Sequence, residues 1–224
     1  MKRSIGWLCA IGFCLGLSPG SALAGDEAPS AQHPRHDAAV RSLESDEVAA
    51  RRRGTMELAE SGEMGDVPVL LDALGDADSL VRTGAERAIW SIWSRSGDAE
   101  VDRLFAEGAD HLANRRLSDS VAVFSRIIEL KPDFAEGWNK RATALFLAGD
   151  LDASAADCDE VLKRNPSHFG ALSGYGLIAL QQGRLEQALL YFERALALNP
   201  NMAGVRANIE AIRESLGRRG RQET

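Results

Sequence analysis

Residues 169–202 read FGALSGYGLIALQQGRLEQALLYFERALALNPNM, and the same order of large, small and apolar residues occurs twice before them, from Val101 onwards. Pro132, Pro166 and Pro200 are spaced by 34 residues. Five further columns keep this spacing: Leu104, Trp138 and Leu172; Gly108, Ala142 and Gly176; Leu117, Leu151 and Leu185; Phe124, Cys158 and Phe192; Ile128, Leu162 and Leu196. A fixed period of this length indicates stacked helix-turn-helix repeats, in which each helix pair buries its apolar stripe against its neighbours.

These columns resemble the tetratricopeptide repeat, which places a large and then a small residue in its first helix and closes each unit with a proline. The third unit matches best, the second has Cys158 where an aromatic residue is usual, and the first departs from the pattern at Glu107, His111 and Ser120. The resemblance implies an all-α fold, a right-handed α-solenoid of helix-turn-helix repeats. Met202 to Leu216 is predicted to be a capping helix, which Gly217 would end.

Residues 66–96 resemble one HEAT-type repeat. Pro68 suits the first turn of a helix, Asp78 can cap the next helix, and a Val81-Arg82 pair opens that helix. We expect this pair to stack ahead of the array and to shield Leu104 and Phe105 from water. Trp90 and Trp93 are then packing residues, with a ligand platform as the alternative.

The predicted boundaries are a signal peptide at 1–24, a disordered tether at 25–37, N-terminal helices with the HEAT-like repeat at 38–98, a tetratricopeptide repeat domain at 99–216 and a disordered tail at 217–224. Within the domain the units are 101–134, 135–168 and 169–202, with the cap at 203–216. A basic start, a short apolar run and Ala22-Leu23-Ala24 predict the signal peptide, with an uncleaved anchor as the alternative. His33, His36 and Asp37 are interpreted as solvated tail residues rather than a metal site.

Charge and composition narrow the functional classes. Removing residues 1–24 would leave 200 residues and a net charge of (26 − 2) − 33 = −9. An acidic chain is unsuited to binding nucleic acid, whose recognition needs a basic surface, and we predict no stable membrane insertion after cleavage. The run Arg51-Arg52-Arg53 is interpreted as a solvated helix face, and Cys158 as a core residue rather than a redox thiol.

No catalytic constellation, phosphate loop or metal-ligand spacing occurs in the sequence, so we predict a protein that is not an enzyme, with no cofactor and no metal. An enzyme of HEAT-like lyase type is a weaker alternative, based on fold analogy. His111 and His168 are interpreted as surface or junction residues rather than bases.

The first helix of each repeat lines the concave side of such an array. The resemblance implies a groove for a protein or peptide partner formed by Phe105, Leu112, Asn139, Lys140, Thr143, Phe146, Ser173, Leu177, Leu180 and Gln181. The basic, Asn-rich clamp that some members of the family use for a terminal carboxylate is mostly absent, so an amphipathic helix or extended apolar segment is the expected occupant. Alternatively the chain fills its own groove, with Ala38–Glu63 as the candidate segment.

The function predicted on this basis is a non-enzymatic interaction scaffold or adaptor of the bacterial cell envelope, secreted across the inner membrane and periplasmic. The alternative is a structural subunit of an envelope assembly with a self-filled groove.

Overall fold

The computed structural model describes residues 33–220, which form an all-α solenoid of helical hairpins with no strand in that range. The helices are α1 (His33–Leu43), α2 (Val48–Ser61), α3 (Val67–Ala73), α4 (Ser79–Trp93), α5 (Ala99–Ala113), α6 (Leu117–Leu130), α7 (Ala135–Ala148), α8 (Leu151–Arg164), α9 (Phe169–Gln181), α10 (Leu185–Leu198) and α11 (Ala203–Gly220). Within residues 33–220, no helix has both the length and the apolar content needed to cross a membrane. The predicted signal peptide lies outside the described residues.

The 34-residue columns form the core of the array. In each hairpin a small residue of the first helix faces a buried side chain of the second: Gly108 faces Phe124, and Gly176 faces Phe192. Ser120, which departs from the family pattern, is fully buried and its Oγ donates to the carbonyl of Gly108 at 3.1 Å. Ser154 makes the equivalent bond to Ala142 one repeat later, at 2.8 Å. The first unit therefore repeats the packing of the second.

Cys158 is a core residue, as predicted. The residue is 2% exposed, within a cluster that includes Ala142 and Ile178. Burial, followed by the nearby carboxylates of Asp157 and Asp159, raises the pKa of this thiol to about 12. The thiolate, which is the reactive form, is therefore strongly disfavoured in the folded protein.

The ends of two helices differ from the predicted boundaries. α1 begins at His33, inside the expected tether, and His36 contacts Asp66 with 2.8 Å between Nε2 and Oδ2. That contact gives the start of α1 a partner, so His36 is not a solvated tail residue. At the other end α11 continues past Gly217 to Gly220, because a helical glycine costs only about 1 kcal/mol and does not oblige a helix to stop.

α3 and α4 form the expected helical hairpin. Asp78 caps α4, since its Oδ1 accepts from the backbone N–H groups of Leu80 and Val81. The prediction of a solvated basic face is wrong for Arg51, whose side chain is 16% exposed, whereas that of Arg52 is 43% exposed. Arg51 binds Asp76 with 2.6 Å between Nε and Oδ2, and Arg52 binds Asp78 with 2.9 Å between Nε and Oδ1. The turn between α3 and α4 supplies the acidic partners, which sequence spacing alone does not show. The HEAT resemblance of this hairpin stays a prediction.

The N-terminal helices do not shield the first repeat as expected. Phe105 packs its ring against Phe124 and Phe134, within the array itself. α4 instead packs against the start of α9, through ring contacts with His168 and Phe169, and against the turn before α11, through hydrogen bonds with Asn199 and Asn201. Trp90 and Trp93 of α4 bury large apolar surfaces, and the buried ring of Phe169, at the boundary between the second and third repeats, gives them a partner of matching size.

Candidate partner-binding face

The first half of the predicted groove is largely occupied by contacts within the chain. Asn139 is 8% exposed, and its amide donates to both carboxylate oxygens of Glu136 at 3.1 Å. The Nζ of Lys140 lies 3.1 Å from Oε1 of Glu136 and 5.6 Å from the ring centroid of Trp90. Asn139 and Lys140 therefore hold the junction with α4. Phe105 and Leu112 are half-buried on α5.

The second half of the groove is more accessible. Thr143, Phe146, Ser173, Leu177 and Leu180 are half-buried, and Gln181 is exposed. Phe146 packs beside the buried cluster around Cys158, and Leu177 and Leu180 pack beside the cluster that contains Phe192 and α11. Thr143, Phe146, Ser173, Leu177 and Leu180 are thus partly exposed side chains on the first helices of the second and third repeats, and we call them the strip.

A buried ionic group joins the second and third repeats. Glu136 on α7 is 1% exposed, and His168, which caps α9, is fully buried. Nδ1 of His168 accepts from the backbone N–H of Ala171, so the proton on Nε2 donates to Oε2 of Glu136 at 2.9 Å. Burial alone would raise the pKa of Glu136, but the charge of Lys140 and the His168 hydrogen bond outweigh it and lower that pKa to about 2.

Two tryptophans of α4 cover this group. The Trp93 ring stacks on the His168 ring, with centroids 4.2 Å apart and planes 18° apart. Trp90 meets Phe169 edge-on at 5.3 Å, and Gly170 makes room for it, because a Cβ there would lie 2.7 Å from the Trp90 ring. The expectation that both tryptophans are packing residues is confirmed, although at a different junction.

Nearer the start of α4, polar contacts attach it to the turn before α11. Asn199 donates its side-chain amide to Glu86 at 3.1 Å, and Arg82 donates from Nε to Oδ1 of Asn201 at 3.1 Å. Asn201 in turn donates to the carbonyl of Leu74 at 2.9 Å. α4 therefore covers the turns that begin α9 and α11. The filling of the groove by Ala38–Glu63 stays an alternative prediction.

A cleft of about 280 Å³ opens between the end of α4 and the turns before α7 and α9. Ile92, Trp93 and Phe134 provide its apolar walls, and Arg95, Lys131 and Arg164 its basic residues. Burial lowers the pKa of Arg95, although its guanidinium donates to the carbonyls of Ala59 and Gly62.

Sequence reasoning placed His168 at a junction but missed the buried pair with Glu136, because neither residue type is usual in a core. It also missed Asn165 and Asn199, although the Asn-Pro dipeptide recurs at the 34-residue period and was visible in the sequence. Among the described residues, no cluster of three or more His, Cys, Asp or Glu side chains could hold a metal ion.

Comparisons with known proteins agree with the array. Residues 105–163 and 159–203 match the family model described as "Tetratricopeptide repeat". A TPR repeat-containing protein of Rhizobium etli is 33% identical over 124 residues, which is 55% of this chain and 61% of that protein. The small glutamine-rich tetratricopeptide repeat-containing protein 2 of Mycosarcoma maydis is 23% identical over 53% of this chain and 34% of its own length. The matches therefore cover only part of these relatives.

Solved structures show the same fold. The Sgt2 TPR domain from Aspergillus fumigatus superposes with a TM-score of 0.53 at 19% identity, covering 55% of this chain and 83% of that one. The first TPR of Spaghetti (RPAP3), solved with an HSP90 peptide, gives 0.51 at 21% identity, covering 54% and 96%. Residues 105–203 therefore match the tetratricopeptide repeat model and share the helical fold of these domains.

Proposed function

We propose that this protein is a non-enzymatic interaction scaffold of the bacterial cell envelope, which holds a partner's peptide segment along α7 and α9. The observation that carries the proposal is the accessible strip through Thr143, Phe146, Ser173 and Leu177. An apolar strip with polar neighbours suits one face of an amphipathic helix or an extended apolar segment. The RPAP3 domain with its bound HSP90 peptide supports a peptide as the class of partner.

The envelope location rests on the signal-peptide pattern of residues 1–24. The absence of an enzyme role rests on the repeat class, whose known members serve as interaction modules, and on the lack of a catalytic constellation in the sequence. We propose the peptide partner and the envelope location together.

A second candidate function is a structural subunit whose array is closed by its own helices. The packing of α4 on His168, Phe169 and Asn199 favours it, because it buries part of the surface on the first-helix side. The two candidates differ in one respect: only the scaffold leaves the strip at Thr143 and Ser173 open to another protein.

The test is site-specific photo-crosslinking in cells. A photo-reactive residue at Thr143 is expected to capture one discrete protein, and Ser173→Arg, which adds bulk and charge to the strip, is expected to abolish the capture. A matched probe at Leu190, which is 55% exposed on α10, the second helix of the third repeat, should not capture that protein. Crosslinks from Thr143 that reach only this chain's own helices would refute the scaffold and leave the structural subunit.

A further inference from the structure

The start of α1 is joined to the turn between α2 and α3 by a histidine and a carboxylate. Nε2 of His36 lies 2.8 Å from Oδ2 of Asp66. The side chain of Asp66 is 9% exposed and that of His36 is 27% exposed. Water therefore reaches this pair only in part, and solvent screens their interaction less than it screens a pair on the open surface.

Asp66 is positioned by the turn that carries it. Its Oδ2 also accepts from the backbone N–H of Glu63 at 2.7 Å, and the side chain of Glu63 accepts in return from the backbone N–H of Asp66. This reciprocal capping box is local to the turn, so it holds the carboxylate in place without help from α1. An ionised carboxylate forms a stronger hydrogen bond with a charged donor than with a neutral one.

Three carboxylates influence the charge of the His36 ring. Asp66 and Glu63 belong to the turn, and Asp37 of α1 has its Oδ1 3.6 Å from Nδ1 of the ring. The ring also lies in the first turns of α1, where the helix dipole disfavours a cation. The hydrogen bond with Asp66 is the largest influence, and together with the negative charges it outweighs burial and raises the pKa of His36 above 6.5.

The rest of α1 is held by apolar packing, which does not depend on pH. Ala39 is fully buried and Leu43 is 9% exposed, in a cluster that also contains Leu58 of α2. The two helices are so close that a Cβ on Gly54 would lie 2.7 Å from the carbonyl oxygen of Ala39. A change in the charge of His36 therefore acts on the first turns of α1 and leaves its later turns packed.

We propose that His36 and Asp66 form a proton-dependent clasp, which holds the first turns of α1 against the turn between α2 and α3 at mildly acid pH and loosens them as pH rises. A protonated imidazole donates a charge-assisted hydrogen bond to Asp66, whereas the neutral ring donates a weaker one. Because the folded pKa of His36 is raised, the contribution of the clasp to stability is fully present below 6.5 and is lost as pH rises through the folded pKa.

The clasp controls how firmly the beginning of the helical array is closed. Local opening of a helix end requires little free energy, so a modest change in one contact alters it measurably. α1 packs on α2 and α3, whereas the strip lies on α7 and α9. The clasp is therefore separate from the strip, and it adds a pH-dependent element to either of the two candidate functions.

The test combines two measurements on the full chain. NMR titration of the His36 ring between about pH 5 and pH 9 should give a pKa above the ordinary value of 6.5. Hydrogen exchange is then measured at about pH 5.5 and pH 8.5 and corrected for the intrinsic pH dependence of exchange. We expect the protection of residues 37–41 to fall at least about threefold at the higher pH, while that of residues 48–58 in α2 stays the same.

Variants separate the clasp from other effects of pH. His36→Gln cannot carry a charge, so α1 should be equally protected at both pH values. Asp66→Asn keeps an oxygen for the backbone N–H of Glu63 but removes the charge, so the pKa of His36 should fall and the pH dependence should disappear. His111→Gln changes a partly buried histidine on α5 and is the matched control, which should leave the pH dependence of α1 unchanged.

Two results would overturn the proposal. One is protection of wild-type α1 that does not change with pH, even if the pKa of His36 is raised, because the pair would then be an ordinary ion pair with no effect on the helix. The other is pH-dependent protection that persists in a folded His36→Gln protein. Crosslinking at Thr143 is read independently, so its failure would refute the scaffold function without affecting the clasp.

Discussion

Replacing Glu136 by glutamine removes the charge from the junction of the second and third repeats while nearly preserving the size of the side chain. In the folded protein the pKa of this carboxyl is lowered from 4.5 to about 2, with burial opposed and outweighed by Lys140 and His168. A shift of this size corresponds to about 3 kcal/mol of stability at neutral pH. For a chain of this length, the loss should lower Tm by about 10 °C.

The sign of the pH dependence follows from the direction of the shift. Because the folded pKa lies below the unfolded value, the contribution is fully present above 4.5 and is lost as pH falls towards 2. The stability difference between the wild-type chain and Glu136→Gln should therefore be about 3 kcal/mol at pH 7 and about 1 kcal/mol near pH 3.

The assay is urea unfolding followed by tryptophan fluorescence at several pH values. Glu129→Gln is the matched control, since Glu129 is exposed and pairs with Arg126 at 3.0 Å, and it should change stability by less than about 0.5 kcal/mol at any pH. If Glu136→Gln unfolds at the wild-type urea concentration at pH 7, or if its deficit is the same near pH 3, the charged junction does not stabilise the fold as argued.

Two further outcomes are expected from the core of the array. Gly176→Ala should destabilise the protein by about 1–3 kcal/mol, because the new Cβ would lie 2.4 Å from the Phe192 ring. Gly174→Ala should instead stabilise it by up to about 1 kcal/mol, because its Cβ would lie 3.5 Å from the Cys158 sulfur, an ordinary contact. Thermal unfolding compares the two variants, and equal effects on stability would contradict the packing. In a chain whose other two cysteines are replaced by serine, native Cys158 should react with a thiol reagent at about pH 8 at least about 10³-fold more slowly than the urea-unfolded protein does. The reason is that burial raises the pKa of its thiol to about 12. Rapid reaction in the native state would contradict that burial.

The repeat itself was predictable from the sequence because its information is local and periodic. Each helix of the array carries its own apolar stripe, and a proline follows the end of each second helix within two residues. The caps are local as well: the Asp78 side chain and the backbone it caps are three residues apart at most. The buried position of Cys158 follows from its column.

The position of α4 was decided by tertiary structure. Its contacts with His168 and Asn199 join residues more than 70 positions apart, and no periodicity in the sequence relates them. The same contacts decided which of the predicted groove residues are covered: Lys140 lies under Trp90, while Thr143 stays accessible. Helical propensity and apolar period act over a few residues, whereas the docking of one hairpin on another depends on complementary shapes and donors that meet only when the chain is folded. The hydrogen bond between Asn199 and Glu86 on α4 arises in this way.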